Sequence, residues 1–84
     1  MKKIIVAVRD VKLEAFMSPF TVETKALALR VFGDAVNDGK SPVSQHPEDF
    51  DLYQLAEVAL DTGVIVPNSP IIHLGSAKDL INHE

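Results

Sequence analysis

Six side chains near the start of the chain have the chemistry of a nucleic-acid-binding surface. Proteins bind single strands by combining a basic groove, which follows the phosphates, with aromatic rings on which the bases stack. The alternative is that one of the rings belongs to the hydrophobic core and that the basic side chains are solvated strand ends. The candidate residues are Arg9, Lys12, Phe16, Phe20, Lys25 and Arg30.

A second group of reactive side chains lies in the middle of the chain, at His46, Glu48, Asp49 and Asp51. Imidazole and carboxylate groups are common metal ligands, but a metal site needs several of them in a fixed geometry. This segment has neither the paired histidines of a zinc site nor the spacing of a calcium loop. We therefore interpret it as a turn with side-chain-to-backbone hydrogen bonds, and we predict no metal ion.

The triplet Asp61-Thr62-Gly63 is similar to the active-site triplet of retroviral-type aspartic proteases. Those enzymes use two such aspartates, which share a proton across a dimer. Here the triplet lies late in the chain, and Val64 replaces the usual small residue after it. We interpret the triplet as a hairpin turn. With no recognisable phosphate loop or nucleophile arrangement, we predict neither enzymatic activity nor a cofactor.

The first half of the chain predicts a β-hairpin followed by an amphipathic helix. Residues 4–8 form a β-branched run bounded by charges, which is typical of a central strand. Residues 12–17 alternate in polarity and predict a second strand that ends before Pro19. Thr21 or Thr24 is the candidate N-cap of a helix that ends near Val36, before the stop signal Asn37-Asp38-Gly39. Its apolar stripe consists of Ala28, Leu29, Phe32, Ala35 and Val36.

The second half is less clear. Residues 41–47 predict a loop. The composition of residues 52–60 favours a helix, whereas a strand there would form a hairpin with residues 64–66. Residues 67–70 predict a loop, residues 71–74 a short strand, and residues 75–81 one helical turn capped by Ser76 or a tail.

Composition limits the class of protein. The net charge is −4 and the pI is near 5.2, which argues against coating duplex DNA through charge alone. The chain contains no cysteine, which fits a reducing cytosol. The apolar run near Met1 is too short for a secretion signal, and we predict no membrane segment. Because the core of so short a chain is small, we expect a homodimer.

Several short segments also occur together, in this order, in one known family. They are Pro19-Phe20, Thr24, Arg30-Val31-Phe32-Gly33-Asp34-Ala35-Val36-Asn37-Asp38, His46-Pro47-Glu48-Asp49-Phe50, Asp61-Thr62-Gly63 and Leu74-Gly75-Ser76-Ala77. In this combination the chain resembles the small nonstructural protein of gokushoviruses, which are tailless single-stranded DNA phages of the Microviridae. Family members usually have a β segment after Leu52, so the resemblance implies a strand at residues 52–60.

The predicted fold class is therefore α+β. We expect a small antiparallel sheet of about four strands, with one amphipathic helix packed on one face. We expect a single domain over residues 1–84, in which residues 75–84 are a candidate frayed tail.

The resemblance implies a nonenzymatic accessory role in viral genome replication, single-stranded DNA synthesis or packaging, in the host bacterial cytoplasm. It implies single-stranded DNA, the viral replication initiator or procapsid proteins as partners, and it brings no catalytic residues. The alternative is a protein-interaction module with an acidic or apolar surface and no DNA contact. Clustering of Arg9, Lys12, Lys25 and Arg30 on one face would favour DNA, and their dispersal would favour a protein partner.

Overall fold

The computed structural model describes residues 1–82, which form an antiparallel sheet with a helix on one face. The strand order is β2-β1-β4-β5, and β3 pairs with the same edge of β1 as β2 does. The expected α+β class is thus confirmed. The main elements are β1 (Lys2–Asp10), β2 (Ala15–Phe16), β3 (Phe20–Val22), α1 (Lys25–Val36), α2 (Pro42–Gln45), β4 (Phe50–Ala59) and β5 (Ile65–Ser76).

The first hairpin is confirmed, but its second strand is much shorter than residues 12–17. Only Ala15 and Phe16 pair with β1. The reason is an Asp10 side-chain turn: its Oδ1 accepts hydrogen bonds from the backbone N–H groups of Lys12 and Leu13. Strand β3, which returns to β1 after Pro19, has no counterpart among the predicted elements.

Helix α1 begins and ends close to the predicted positions. Thr24 is the N-cap, and its Oγ1 accepts a hydrogen bond from the backbone N–H of Leu27 at 3.2 Å. Ala28, Phe32 and Val36 are buried. The chain leaves the helix through Asn37 and turns at Gly39, whose φ of +74° is the left-handed conformation that glycine adopts freely.

The loop predicted over residues 41–47 was wrong in part, because it contains the short helix α2. Ser41 caps this helix through its side chain, and Pro42 occupies its first turn, where the missing N–H is not needed. Val43 is buried in the core. A 3-10 turn over Pro47–Asp49 then leads directly into β4.

Strand β4 includes residues 52–59, as the family resemblance implied, and Leu60 begins the turn that follows. Asp61-Thr62-Gly63 is the turn to β5, with Gly63 at φ +77°. The loop predicted over residues 67–70 was wrong: Pro67 and Pro70 lie inside β5. Strand β5 tolerates them because it is an edge strand, which needs ladder donors on one side only.

After β5 the chain crosses back to the helix. Residues Ala77–Leu80 form a 3-10 turn with Ala77 completely buried, and Ser76 makes no side-chain cap there. The Asn37 side chain fastens this segment by donating to Leu80 O at 2.9 Å and accepting from Asn82 N at 2.8 Å. The last two residues of the predicted tail lie outside the described residues.

The two faces of the sheet differ. We call the side that packs on α1 the covered face; its alternating residues, including Val6, Phe50 and Leu52, form the core with Phe32 and Val36. The opposite side is the open face, which bears Arg9, Phe16, Asp51, Tyr53, His73 and Ser76. Within residues 1–82, no helix is long and apolar enough to cross a membrane.

Candidate nucleic-acid interface

Three rings form a row across the open face, which we call the aromatic row: Phe16, Tyr53 and His73. The ring centroids of Phe16 and Tyr53 are 5.8 Å apart, and those of Tyr53 and His73 are 5.3 Å apart. Both pairs meet edge to face, at interplanar angles of 77° and 76°. The row therefore runs from β2, over β1, to β4 and β5.

Strand register explains why these rings meet. Tyr53 lies opposite His73 on one side and opposite Ala7 on the other. Residues directly opposite each other in an antiparallel pair point to the same face. Ala7 carries only a methyl group, so it leaves space over β1 for the ring of Phe16 to reach Tyr53. Ala7 is completely buried although its face of the sheet is otherwise accessible, which is consistent with the Phe16 ring lying over it.

Arg9 adds a positive charge at one end of the row. Its guanidinium carbon lies 5.6 Å from the centroid of the Phe16 ring, within cation–π range. Arg9 is also the register partner of both Phe16 and Asp51. A guanidinium next to exposed rings is the combination that binds a phosphate beside a stacked base.

Asp51 organises the polar side of the open face. Its Oδ1 accepts a hydrogen bond from Ser76 Oγ and lies 3.1 Å from His73 Nε2. Partial burial by itself would raise the pKa of Asp51, but the hydrogen bonds from Ser76 and His73 and the nearby positive charge of Lys78 outweigh it and lower the pKa. The ionised carboxylate thus holds the ring of His73 in place.

These three residues do not have the geometry of a hydrolytic triad. In such a triad the histidine stands between the serine and the carboxylate and uses one ring nitrogen for each. Here Ser76 and His73 both contact the same oxygen of Asp51, and the same Nε2 faces Ser76 Oγ at 3.4 Å. The arrangement orients a ring and does not activate a nucleophile.

The structure brings together only part of the predicted six-residue site. Arg9 and Phe16 are in contact, and Lys12 lies between them in the sequence, in the exposed β1–β2 turn. Phe20 instead packs against the core, as the alternative interpretation allowed. Lys25 and Arg30 are exposed on α1, which packs on the other face. The four basic residues are therefore dispersed.

The structure also separates the residues of the acidic segment after α2. Ligand atoms of His46, Glu48 and Asp49 lie within 4.8 Å of one another around the 3-10 turn. Asp51 belongs to the open face instead. The turn is held by the backbone N–H of Asp49, which donates to His46 O at 3.0 Å. Among the described residues, no side-chain-to-backbone bond of the predicted kind involves this trio.

Sequence reasoning missed Tyr53, His73, Ser76 and Lys78. One signal was available: in a strand with Leu52 inside, Tyr53 must point to the opposite face. The pairing of Tyr53 with His73 could not be predicted, because β4 and β5 contain register shifts near both residues. A bulge changes which residues of two strands share a face.

The chain is similar to a known protein family. The family model described as "Phage ORF5 protein" matches residues 3–80. No curated protein and no solved structure matches the chain. The match spans every strand and helix from β1 to the final 3-10 turn, so it concerns the whole fold and not a single motif.

Proposed function

Since this chain belongs to the Phage ORF5 protein family, we propose that it is a nonenzymatic accessory protein that binds single-stranded DNA during phage genome replication or packaging. The finer assignment, to the small nonstructural proteins of gokushoviruses, is supported by the ordered motifs between Pro19 and Ala77. With that assignment, we expect the protein to act in the cytoplasm of the host bacterium, together with the replication initiator or the procapsid proteins.

The observation that carries the proposal is the aromatic row with Arg9 at its end. Adjacent strands are about 4.8 Å apart, so a row from β2 to β5 extends over about 14 Å. Other sheet-based binders stack two or three unpaired bases on aromatic side chains. The edge-to-face contacts between the rings must tilt to admit bases, which requires side-chain movement and no change of the backbone.

Single strands suit this surface better than duplex DNA. Stacking on a flat sheet requires unpaired bases, which a duplex does not offer. The overall charge of −4 also opposes long-range attraction to a polyanion. We therefore expect moderate affinity that depends on stacking and on a few phosphate contacts, with Arg9 the nearest cation and Lys78 beside Asp51.

The test is the binding of purified protein to fluorescent single-stranded and duplex oligonucleotides over a salt series. We expect binding to the single strand, with log K falling against log salt at a slope of about −2, as about three phosphate contacts predict. Absence of binding to single strands at low salt would exclude direct DNA contact.

A matched pair of variants locates the surface. Arg9→Gln removes the charge beside Phe16, whereas Arg30→Gln makes the same substitution on α1. The proposal requires that Arg9→Gln weakens binding and flattens the salt slope while Arg30→Gln changes neither. Equal losses in the two variants would indicate nonspecific attraction and contradict a site on the open face.

The dispersal of the basic residues favours a second candidate, a protein-interaction module that never contacts DNA. Lys25 and Arg30 lie away from Arg9, and several apolar side chains remain exposed on β5. If DNA binding fails, the replication initiator and the procapsid proteins are the partners to test, by calorimetry with each purified protein.

A further inference from the structure

The two edges of the sheet are protected to very different degrees. On one side β1 is covered by β2 and β3, which are only 2 and 3 residues long and are interrupted by Pro19. On the other side β5 is 12 residues long, and within residues 1–82 it pairs with β4 alone. A long free edge is a template for pairing with another strand.

Strand β5 and the residue before it are apolar as well as exposed. Val64, Ile65 and Val66 are 57%, 57% and 60% exposed, and Ile71 and Ile72 are 39% and 42% exposed. Successive residues of a strand point to opposite faces, so both sides of this edge are apolar. Proteins usually protect such an edge with charged side chains, prolines or bulges. Strand β5 has two prolines and irregular pairing near its middle but no charged residue, so its apolar ends remain open to pairing.

The charge pattern indicates which kind of partner this edge suits. Residues 62–77 contain no Asp, Glu, Lys or Arg, although the whole chain carries a net charge of −4. Two copies of an acidic protein repel each other over most of their surfaces, and they approach most easily where neither carries charge. A basic partner would instead require acidic residues along the edge, and residues 62–77 have none.

We propose that a second copy of this chain packs on the outer edge of β5, antiparallel to the first and related to it by a twofold axis. Antiparallel pairing of one strand with its own copy is self-complementary, as a closed dimer requires. Pro67 and Pro70 lack an N–H group, so main-chain pairing is confined to the segments on either side of them, while side-chain contacts continue across.

The dimer is reversible. A strand of 12 residues is about 40 Å long, and a strip of that length and the width of one strand buries less than about 1,200 Å² in total. Interfaces of that size form weak complexes. The twofold axis also joins the two open faces into one continuous sheet, since each aromatic row ends at His73 on β5.

The mass of the purified protein, without DNA, should be measured by sedimentation over a wide range of protein concentration. We expect monomer at low concentration and dimer at high concentration. Val66→Glu should raise the dissociation constant by roughly tenfold or more, because each copy would then bury an unpaired charge against the apolar residues beyond the prolines of the other copy. Val31→Glu is the matched control: Val31 is 48% exposed, but on α1, and the substitution should leave dimerisation unchanged.

Cross-linking gives a readout that does not depend on affinity. The chain has no cysteine, so single-cysteine variants report one position each. Ser69→Cys, which lies between the two prolines and therefore near the axis, should form a disulfide-linked dimer under mild oxidation, and Val31→Cys should not. A monomer at every concentration, or a dimer that Val66→Glu leaves intact and that cross-links only through α1, would overturn the proposal. A monomer would leave the edge to a different protein.

Discussion

The covered and open faces of the sheet use the same strands for different purposes. In β4, Leu52 is completely buried against α1, whereas its neighbour Tyr53 points the other way into the aromatic row. The covered face is apolar and buried, and the open face combines rings with Arg9 and Asp51. One strand can therefore stabilise the core on one side and carry the proposed binding surface on the other, because its side chains alternate.

Gln54 is a polar exception on the otherwise apolar covered face. It is the one buried polar side chain among residues 1–82, and it points to the covered face. Its Nε2 donates to Asn68 Oδ1 at 3.1 Å, so burial leaves no donor unpaired. The amide pair links β4 to β5 at the register shift, where the ladder between the two strands is irregular.

The largest effect should come from the covered face. Leu52→Ala removes a completely buried side chain from the centre of β4 and should lower the free energy of unfolding by about 2–5 kcal/mol. Urea denaturation followed by circular dichroism measures this change. A loss below about 1 kcal/mol would mean that the core collapses around the smaller residue and that Leu52 is not central to it.

A substitution at the neighbouring residue, Tyr53, should affect DNA binding more than stability. Tyr53→Leu keeps an apolar side chain but removes the ring from the aromatic row, and it should weaken single-stranded DNA binding by about 1–3 kcal/mol for one lost stacking contact. Fluorescence anisotropy measures the affinity. Urea denaturation of the same variant should show a smaller loss of unfolding free energy than that of Leu52→Ala. Unchanged affinity would remove Tyr53 from the proposed surface.

Loss of the N-cap of α1 should lower stability less than loss of the Leu52 side chain. Thr24→Ala removes the hydroxyl that accepts from Leu27 N and should lower the free energy of unfolding by about 1 kcal/mol. Thr21→Ala is the control, since Thr21 lies in β3 and was the rival candidate for the cap. A greater loss for Thr21→Ala than for Thr24→Ala in urea denaturation would contradict this assignment.

The smallest effect concerns pH and Asp51. Because the folded state lowers the pKa of Asp51, its carboxylate stabilises the fold above the unfolded pKa of about 3.9, and this contribution is lost as the pH falls through the lower folded value. Asp51→Asn removes that dependence. Urea denaturation at neutral and acidic pH should show the difference between wild type and variant shrinking in acid. A constant difference would mean that the Asp51 carboxylate is not preferentially stabilised in the fold.

The sequence predicted elements whose signals are local. The run at residues 4–8, the cap at Thr24 and the glycine turn at Gly63 each depend on a few adjacent residues. Strand β5 was predicted only in part, because two prolines indicate a loop unless the strand is known to lie at an edge. That knowledge requires the strand order, which no local pattern contains.

The candidate site shows the same limit. Arg9 and Phe16 were identified by residue type and meet across the first hairpin, where the turn is short. Lys25 and Arg30 were grouped with them because they are close in sequence, yet α1 carries both to the other face. Tyr53 and His73 lie together on this surface because of the strand register between β4 and β5, which depends on bulges.

The order of the strands has a consequence for how the chain folds. The two central strands, β1 and β4, are distant in sequence, and even their closest pair joins Asp10 to Phe50. Helix α1 and the β4–β5 hairpin need only local contacts, so they can form early, but neither can bury the covered face alone. Folding must wait for a long loop to close, which makes it slower than that of a helical bundle of equal length. We therefore expect the pairing of β1 with β4 to limit the rate at which the chain folds.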